Sequence, residues 1–146
     1  MRLATASDHA GYPLKAYLVE RLSALHQVVD LGTGDSGSVH YPVYAHRLCR
    51  EVLSGSCQQG ILVCNSGIGM SIAANRHPGI RAALCLDVTM ASFARRHNDA
   101  NVLVLAGGFT APFHAWEIVC AFLAGEFEGG RHARRLGMLD PEDCVD

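Results

Sequence analysis

Residues 61–75, ILVCNSGIGMSIAAN, run an apolar segment into a cysteine and then at once into a small loop punctuated by glycine. The apolar run ending at Cys64 reads as a buried strand, and MSIAANRH beyond the loop reads as a helix. Gly67 and Gly69 permit positive φ and let the main chain come close to a ligand. Cys64, Asn65, Ser66, Gly67, Ile68 and Gly69 then make a strand-to-helix turn. Its unpaired N–H groups face outward, aided by the positive end of the helix dipole. An oxyanion placed there is stabilised and a thiolate there has a lowered pKa, so Cys64 can serve as base or nucleophile. The plain alternative is a cysteine packed at a tight turn.

Outward from this stretch the chain alternates short apolar runs with helix-length amphipathic segments. RLATAS, QVVDLG, GILVC, IRAALC and ANVLVLAG read as strands. PLKAYLVERLSAL, opened by Pro13, then a segment from about Val43 to Leu53, MSIAANRH, DVTMASFARRHN and APFHAWEIVCAFLAG read as the intervening helices. Repetition of strand then helix implies parallel pairing through right-handed crossovers, with helices on both faces. The expectation is an α/β chain forming one Rossmann-like, three-layer α/β/α domain over residues 1–146, with a five-stranded parallel sheet. Its C-terminal helical tail, about 126–146, opens with a basic stretch. Ligands of such sheets sit beyond the carboxyl ends of the strands. SDHAG, CNSGIG and the GG of residues 107–108 lie at those ends, and RRHN, which leads into the last strand, is grouped with them as a site segment.

The formal charge of −2 gives no electrostatic reason for nucleic acid or an anionic membrane as partner. No apolar run approaches the length of a membrane span, and MRLATASDHAG carries no signal-peptide pattern, so a cytoplasmic location is expected. Six cysteines (Cys49, Cys57, Cys64, Cys85, Cys120 and Cys144) show neither a CxxC pair nor zinc-type spacing with histidine. No disulfide, metal or cofactor is expected from them, and most read as small apolar fillers.

Two chemistries share a cysteine loop of this kind. Cysteine-dependent phosphatases need an arginine clamp at the place Met70 occupies, which removes that reading. The cysteine loop of sugar phosphotransferase B subunits, whose thiolate accepts a phosphoryl group, follows a first strand rather than a third.

With SDHAG, CNSGIGMSIAAN, GIRAAL, RRHNDANVL and EGGRHARR in this order, the chain resembles the ribose-5-phosphate isomerase B family, which includes galactose-6-phosphate isomerase subunits. The resemblance runs from about Arg2 to Leu136. It implies metal-free aldose–ketose isomerisation of a phosphorylated sugar, and a homodimer, sometimes paired into a tetramer, with sites at the subunit interface. It assigns proton abstraction to Cys64, assistance to the Ser66 hydroxyl, and ring opening to His97. It assigns substrate contacts to Asp8, His9, Asn98 and the 65–69 loop, and phosphate contacts to Arg131 and Arg135. Two departures stand out. Asn65 and Ser66 replace glycine and threonine, and Gly108 stands where family members commonly carry an arginine. Ribose 5-phosphate to ribulose 5-phosphate is the leading reaction. Allose 6-phosphate, galactose 6-phosphate or a tetrose phosphate are alternative substrates, and a non-catalytic phosphosugar-binding or phosphoryl-carrying module is the alternative of a different class.

Overall fold

The computed structural model describes residues 1–139. Five strands, β1 (Arg2–Ser7), β2 (Gln27–Asp30), β3 (Gln59–Cys64), β4 (Ala82–Leu84) and β5 (Val102–Ala106), form one parallel sheet in the order β2-β1-β3-β5-β4. Helices α1 (Tyr12–Ser23), α2 (Tyr41–Leu53), α3 (Ile68–Ala74), α4 (Val88–Asn98) and α5 (Pro112–Ala124) occupy the crossovers, and α6 (Arg131–Leu136) follows. The sheet is therefore doubly wound, as the alternation predicts, and the order reverses between β1 and β3.

Side-chain alternation along the strands sorts the core into two layers. Leu3, Ile61, Val63, Leu103 and Leu105 pack with Leu14, Leu18 and Leu22 of α1, Ala91 and Ala94 of α4, and Ile118, Val119 and Phe122 of α5. Ala4, Ala6, Leu62, Cys64, Val102 and Val104 face the other way, onto Leu48, Cys49 and Val52 of α2 and Met70, Ala73 and Ala74 of α3. The central strands β3 and β5 are buried throughout, which is why their sequences are nearly continuous apolar runs.

Element boundaries depart from expectation where a local group intervenes. Helix α2 begins at Tyr41 because Pro42, in its first turn, is already set for helix. Helix α3 starts inside the glycine loop and stops at Ala74. Asn75 then turns to the edge strand, accepting from Ala82 N at 2.8 Å and donating to Ala82 O at 2.9 Å. This side chain stands in for a neighbouring strand on the open edge of β4.

A buried lysine fixes the segment after β2. Lys15, 1% exposed, donates from Nζ to Asp30 Oδ2 at 2.6 Å and to Thr33 O at 2.8 Å. Cys49, Cys57, Cys64 and Cys85 are buried and Cys120 is exposed, all as free thiols; Cys144 falls outside the described residues. Among the described residues no helix is long and apolar enough to cross a membrane.

Candidate active site

Register sets the neighbours of the cysteine. Ser7 of β1 lies opposite Val63, and Cys64 opposite Ala106 of β5, so the segments leaving these strands emerge side by side. Gly107 N donates to Cys64 O at 2.7 Å and Gly108 N to Asn65 O at 2.9 Å. On the opposite flank Asp8, 7% exposed, accepts Gly11 N at Oδ1, 2.8 Å away, which shapes the turn into α1. His9 Nδ1 accepts Val39 N at 3.2 Å, leaving the proton of the neutral ring on Nε2.

Cys64 is 5% exposed, and its Sγ accepts Gly67 N at 3.1 Å. Gly67 takes φ 76°, the left-handed conformation that reverses the chain toward the sulfur. Gly69 does not share that geometry, since it lies within α3. Its missing side chain makes room for the Tyr41 ring, whose Cζ would stand 2.7 Å from a Cβ there. Helix α3 has only 7 residues, so individual N–H groups rather than a long macrodipole act on the sulfur.

The thiol does not follow the expected direction. Burial pushes its pKa above the ordinary value, the Met70 and Gly67 N–H groups pull it down, and the Asp8 carboxylate adds to the rise, partly offset by Ser66 N–H. Withdrawing the sulfur from water outweighs what neutral donors return, and no cation is among the causes.

The remaining assigned residues lie at the other end of the sheet. Helix α4 returns from the end of β4 to the start of β5, so its last turn sits at the strands' amino ends. Arg81, just before β4, donates from Nε to Asn98 O at 3.1 Å and Asp99 O at 2.9 Å. Running from Val102 to Ala106, β5 separates the two ends by about 13 Å, and the 11 residues of α4 span about 16 Å. His97 and Asn98 therefore cannot meet Cys64 of the same chain, contrary to the grouping of RRHN with the ligand-facing ends.

His97 is held in a stack. Its ring lies 4.7 Å from Phe93 at 14° and 4.3 Å from His132 at 5°. Glu128 Oε2 is 3.8 Å from Nε2 of both histidines, and Oε1 accepts Arg96 Nε at 2.6 Å. The Arg96 hydrogen bond, above all, holds the Glu128 carboxyl below the usual range, and burial, with His97 and Arg131 beside it, lowers His132. Arg131 and Arg135 open and close one exposed face of α6, next to this stack.

His97, Glu128 and His132 bring three ligand atoms within 4.8 Å of one another, the group among the described residues best placed for a metal. Parallel rings, however, have parallel in-plane lone pairs that do not converge on one ion, and Arg96 already neutralises the carboxylate. The stack and the nearby Glu128 carboxylate hold the His97 ring between Phe93 and His132. Tyr41, Glu128 and His132 escaped sequence reasoning. The Tyr-Pro pair opening α2 and the EGGRH spacing were the signals available.

A cavity of about 500 Å³ lies beside the amino-end group, lined in part by Arg76, His77, Arg81, Asn98 and Leu136. At the carboxyl ends exposed apolar side chains surround Cys64's loop instead: Tyr41, Ile68 and Ile72 on one side, Leu86, Phe109 and Phe113 on the other.

The chain matches the family described as Ribose/Galactose Isomerase over residues 3–139. Ribose-5-phosphate isomerase B of Escherichia coli is 41% identical, covering 92% of this chain and 91% of its own. The structure of ribose-5-phosphate isomerase B from Clostridium thermocellum superimposes with a TM-score of 0.93 at 44% identity, covering 94% of this chain and 93% of that one. The Mycoplasma genitalium enzyme, solved with bound ribulose-5-phosphate, gives 0.88 at 39% identity, with 92% and 91% covered. The chain belongs to the ribose/galactose isomerase family, the family of ribose-5-phosphate isomerase B, and by that membership is an aldose–ketose isomerase.

Proposed function

We propose that this chain interconverts ribose 5-phosphate and ribulose 5-phosphate, with Cys64 as the base and with each site assembled from two copies. The observation that carries this reading is the Cys64 sulfur, held by Gly67 N–H inside a loop of main-chain donors beside Asp8. The similarity to proteins named ribose-5-phosphate isomerase B, one bound to ribulose-5-phosphate, supports the choice of sugar.

The reaction needs three operations. His97 gives a proton to the ring oxygen of the furanose while Asp8 orients or deprotonates the anomeric hydroxyl, which opens the ring. Cys64, as thiolate, takes the proton from C2 of the open aldose, leaving a cis-enediolate; the hydroxyl proton passes from O2 to O1, and Cys64 returns its own proton to C1, which gives the ketose. Gly67 N–H is engaged by Cys64 Sγ and Ile68 N–H by Ser66 Oγ; the remaining N–H groups of the 65–69 loop and the Ser66 hydroxyl hold the enediolate oxygens, and losing one such donor costs on the order of 3 kcal/mol. His9 and Asn98 hold sugar hydroxyls, and Arg131 with Arg135 takes the phosphate.

Because His97 lies at the far end of its own sheet, the site requires a partner. An antiparallel twofold pair sets each carboxyl-end half against the other copy's amino-end half, giving two complete sites. The apolar rim around the Cys64 loop supplies surface for that contact, and pairing of two such dimers gives a tetramer. Phosphorylated sugars are anions that do not cross bilayers unaided, so the activity belongs in the cytoplasm. The test is direct: the purified protein converts ribose 5-phosphate to its ketose, and Cys64→Ala loses turnover by about 10³ or more while still binding the sugar. Native protein that binds without turning over ribose 5-phosphate overturns the reading.

A further inference from the structure

Gly108 and Asn65 explain one another. Glycine at 108 is not needed for backbone shape, since its φ is not among the positive values. The space is shared instead: a Cβ there would overlap Asn65 Oδ1 and come within 3.1 Å of its Cγ, so a side chain at 108 would push the carboxamide aside. Their main chains are joined as well, Gly108 N donating to Asn65 O at 2.9 Å. The asparagine in turn has no local reason for its identity. Its own φ is not positive, so the left-handed tolerance of asparagine is unused. The loop's side-chain acceptors are Cys64 Sγ for Gly67 N and Ser66 Oγ for Ile68 N, so it forms no turn through its own side chain. Among the described residues no hydrogen bond holds its carboxamide, which stands exposed one residue from Cys64.

We propose that the Asn65 carboxamide reads a hydroxyl of the sugar beside the reacting carbons, and that Asn65 and Gly108 form one specificity unit in which the amide takes the space a side chain at 108 would fill. This rests on the isomerase reading of the same loop. A carboxamide offers two donors and an acceptor, so it distinguishes a hydroxyl in one configuration from its epimer or from hydrogen. Being neutral, it does not clamp a phosphate, which leaves that end of the substrate to Arg131 and Arg135. The site is thereby built for a phosphorylated sugar read by hydroxyl configuration near Cys64, with its anion held at the far end.

The experiment compares native protein, Asn65→Ala, Gly108→Ala and the double variant against ribose 5-phosphate, its epimers and its 2-deoxy and 3-deoxy analogues. Binding is measured by titration calorimetry and turnover in a ketose-forming assay. Asn65→Ala should lose at least tenfold in affinity or kcat/KM for the preferred sugar and less than threefold for the analogue lacking the hydroxyl it reads. Gly108→Ala, which pushes the carboxamide out of its place, should reproduce most of the selectivity loss of Asn65→Ala, and the double variant should lose little more than either alone. Equal losses across the panel, or no loss, overturn the recognition role, and losses that add in full in the double variant overturn the coupling. Absence of turnover by native protein on every sugar would count against the isomerase reading alone. The binding selectivity of Asn65→Ala would then still decide this one.

Discussion

Two variants, each inactive alone, should rescue one another when their subunits are exchanged. Cys64→Ala removes the proposed base at the carboxyl end of the sheet, and His97→Ala removes the proposed acid at the amino end. Each end depends on a different copy if sites are shared, because the β5 span and the α4 length keep the two groups more than about 10 Å apart within one chain. General acid–base groups contribute roughly 10²–10⁴-fold, so each variant alone should retain about 1% of native turnover or less. Unfolding an equal mixture and refolding it together distributes subunits at random, and half of the dimers are mixed. In a mixed dimer one site carries both substitutions and the other carries neither. One intact site in every second dimer restores about a quarter of native turnover. Ketose formation is followed after co-refolding, with the two proteins refolded separately and then combined as the baseline. Restoration to about a quarter, absent from the baseline, confirms the shared site. No restoration, with mixed dimers demonstrated by mass spectrometry of differently tagged subunits, refutes the argument from sheet geometry.

Other consequences follow from particular contacts. Asp8→Asn removes a charge that raises the Cys64 thiol, yet keeps an acceptor for Gly11 N. Alkylation of Cys64 at pH 7.5, read on its peptide by mass spectrometry, should therefore quicken several-fold even as kcat/KM falls; a slower or unchanged rate contradicts the placement of Asp8. Asp30→Ala strands the buried Lys15 ammonium and should cost about 3 kcal/mol of stability, whereas Lys15→Met, leaving a carboxylate 41% exposed, should cost less. Urea midpoints of the two variants decide the order, and the reverse order refutes it. Burial, first of all, lowers both His77 and His132. Between those lowered values and the ordinary one near about 6.5 the unfolded chain binds more protons, so stability rises with pH through this window and is lost as the pH falls through it. Midpoints should decline from pH 7.5 to 5 and decline less in the His77→Gln, His132→Gln double variant; a native midpoint that is flat or climbs on acidification refutes the sign.

The fold was legible because each strand of this sheet is short, apolar and bounded by a helix with its own period. RLATAS coincides with β1, and the run ending at Cys64 falls within β3. The 65–69 loop was legible for a related reason: a glycine three residues after a strand-ending cysteine, at the start of a helix, has few uses other than reversing the chain, and Gly67 does so. Three features were hidden. Gly69 reads like a second conformational glycine, but its reason lies in Tyr41, a residue distant in sequence whose ring occupies the space. The direction of the Cys64 pKa depends on how much water the fold removes, which no motif records. RRHN belongs to the opposite end of the sheet because a helix between parallel strands must carry the chain back to where the next strand begins. That last point follows from the strand–helix alternation alone. A pattern of residues gathered from a resemblance conceals it, since the pattern gives membership of a site and not membership of a subunit.

The two ends of the sheet are also electrostatically unlike, and this bears on how the thiol becomes reactive. Asp8 and Cys64 share the carboxyl end, where burial and a neighbouring carboxylate both resist ionisation of the sulfur. Arg131, Arg134, Arg135, His97 and His132 gather at the amino end, with Glu128 bound mainly to Arg96. In the proposed pairing, apposition of the halves would bring cations to the thiol and reduce the imbalance on both sides, and a bound phosphate would then neutralise part of the arginine charge. Association and ionisation are therefore linked. A partner that lowers the Cys64 pKa is, by the same free energy, bound more tightly when the sulfur is ionised. Dilution that separates the proposed subunits should abolish turnover while each chain retains its own two-layered core, because the layers of α1, α4 and α5 and of α2 and α3 are packed from residues of one chain. A single chain of this sequence can build its sheet and its loop, but it places His97 and Cys64 at opposite ends of that sheet, so if the two serve one sugar as acid and base, a second copy must supply one of them.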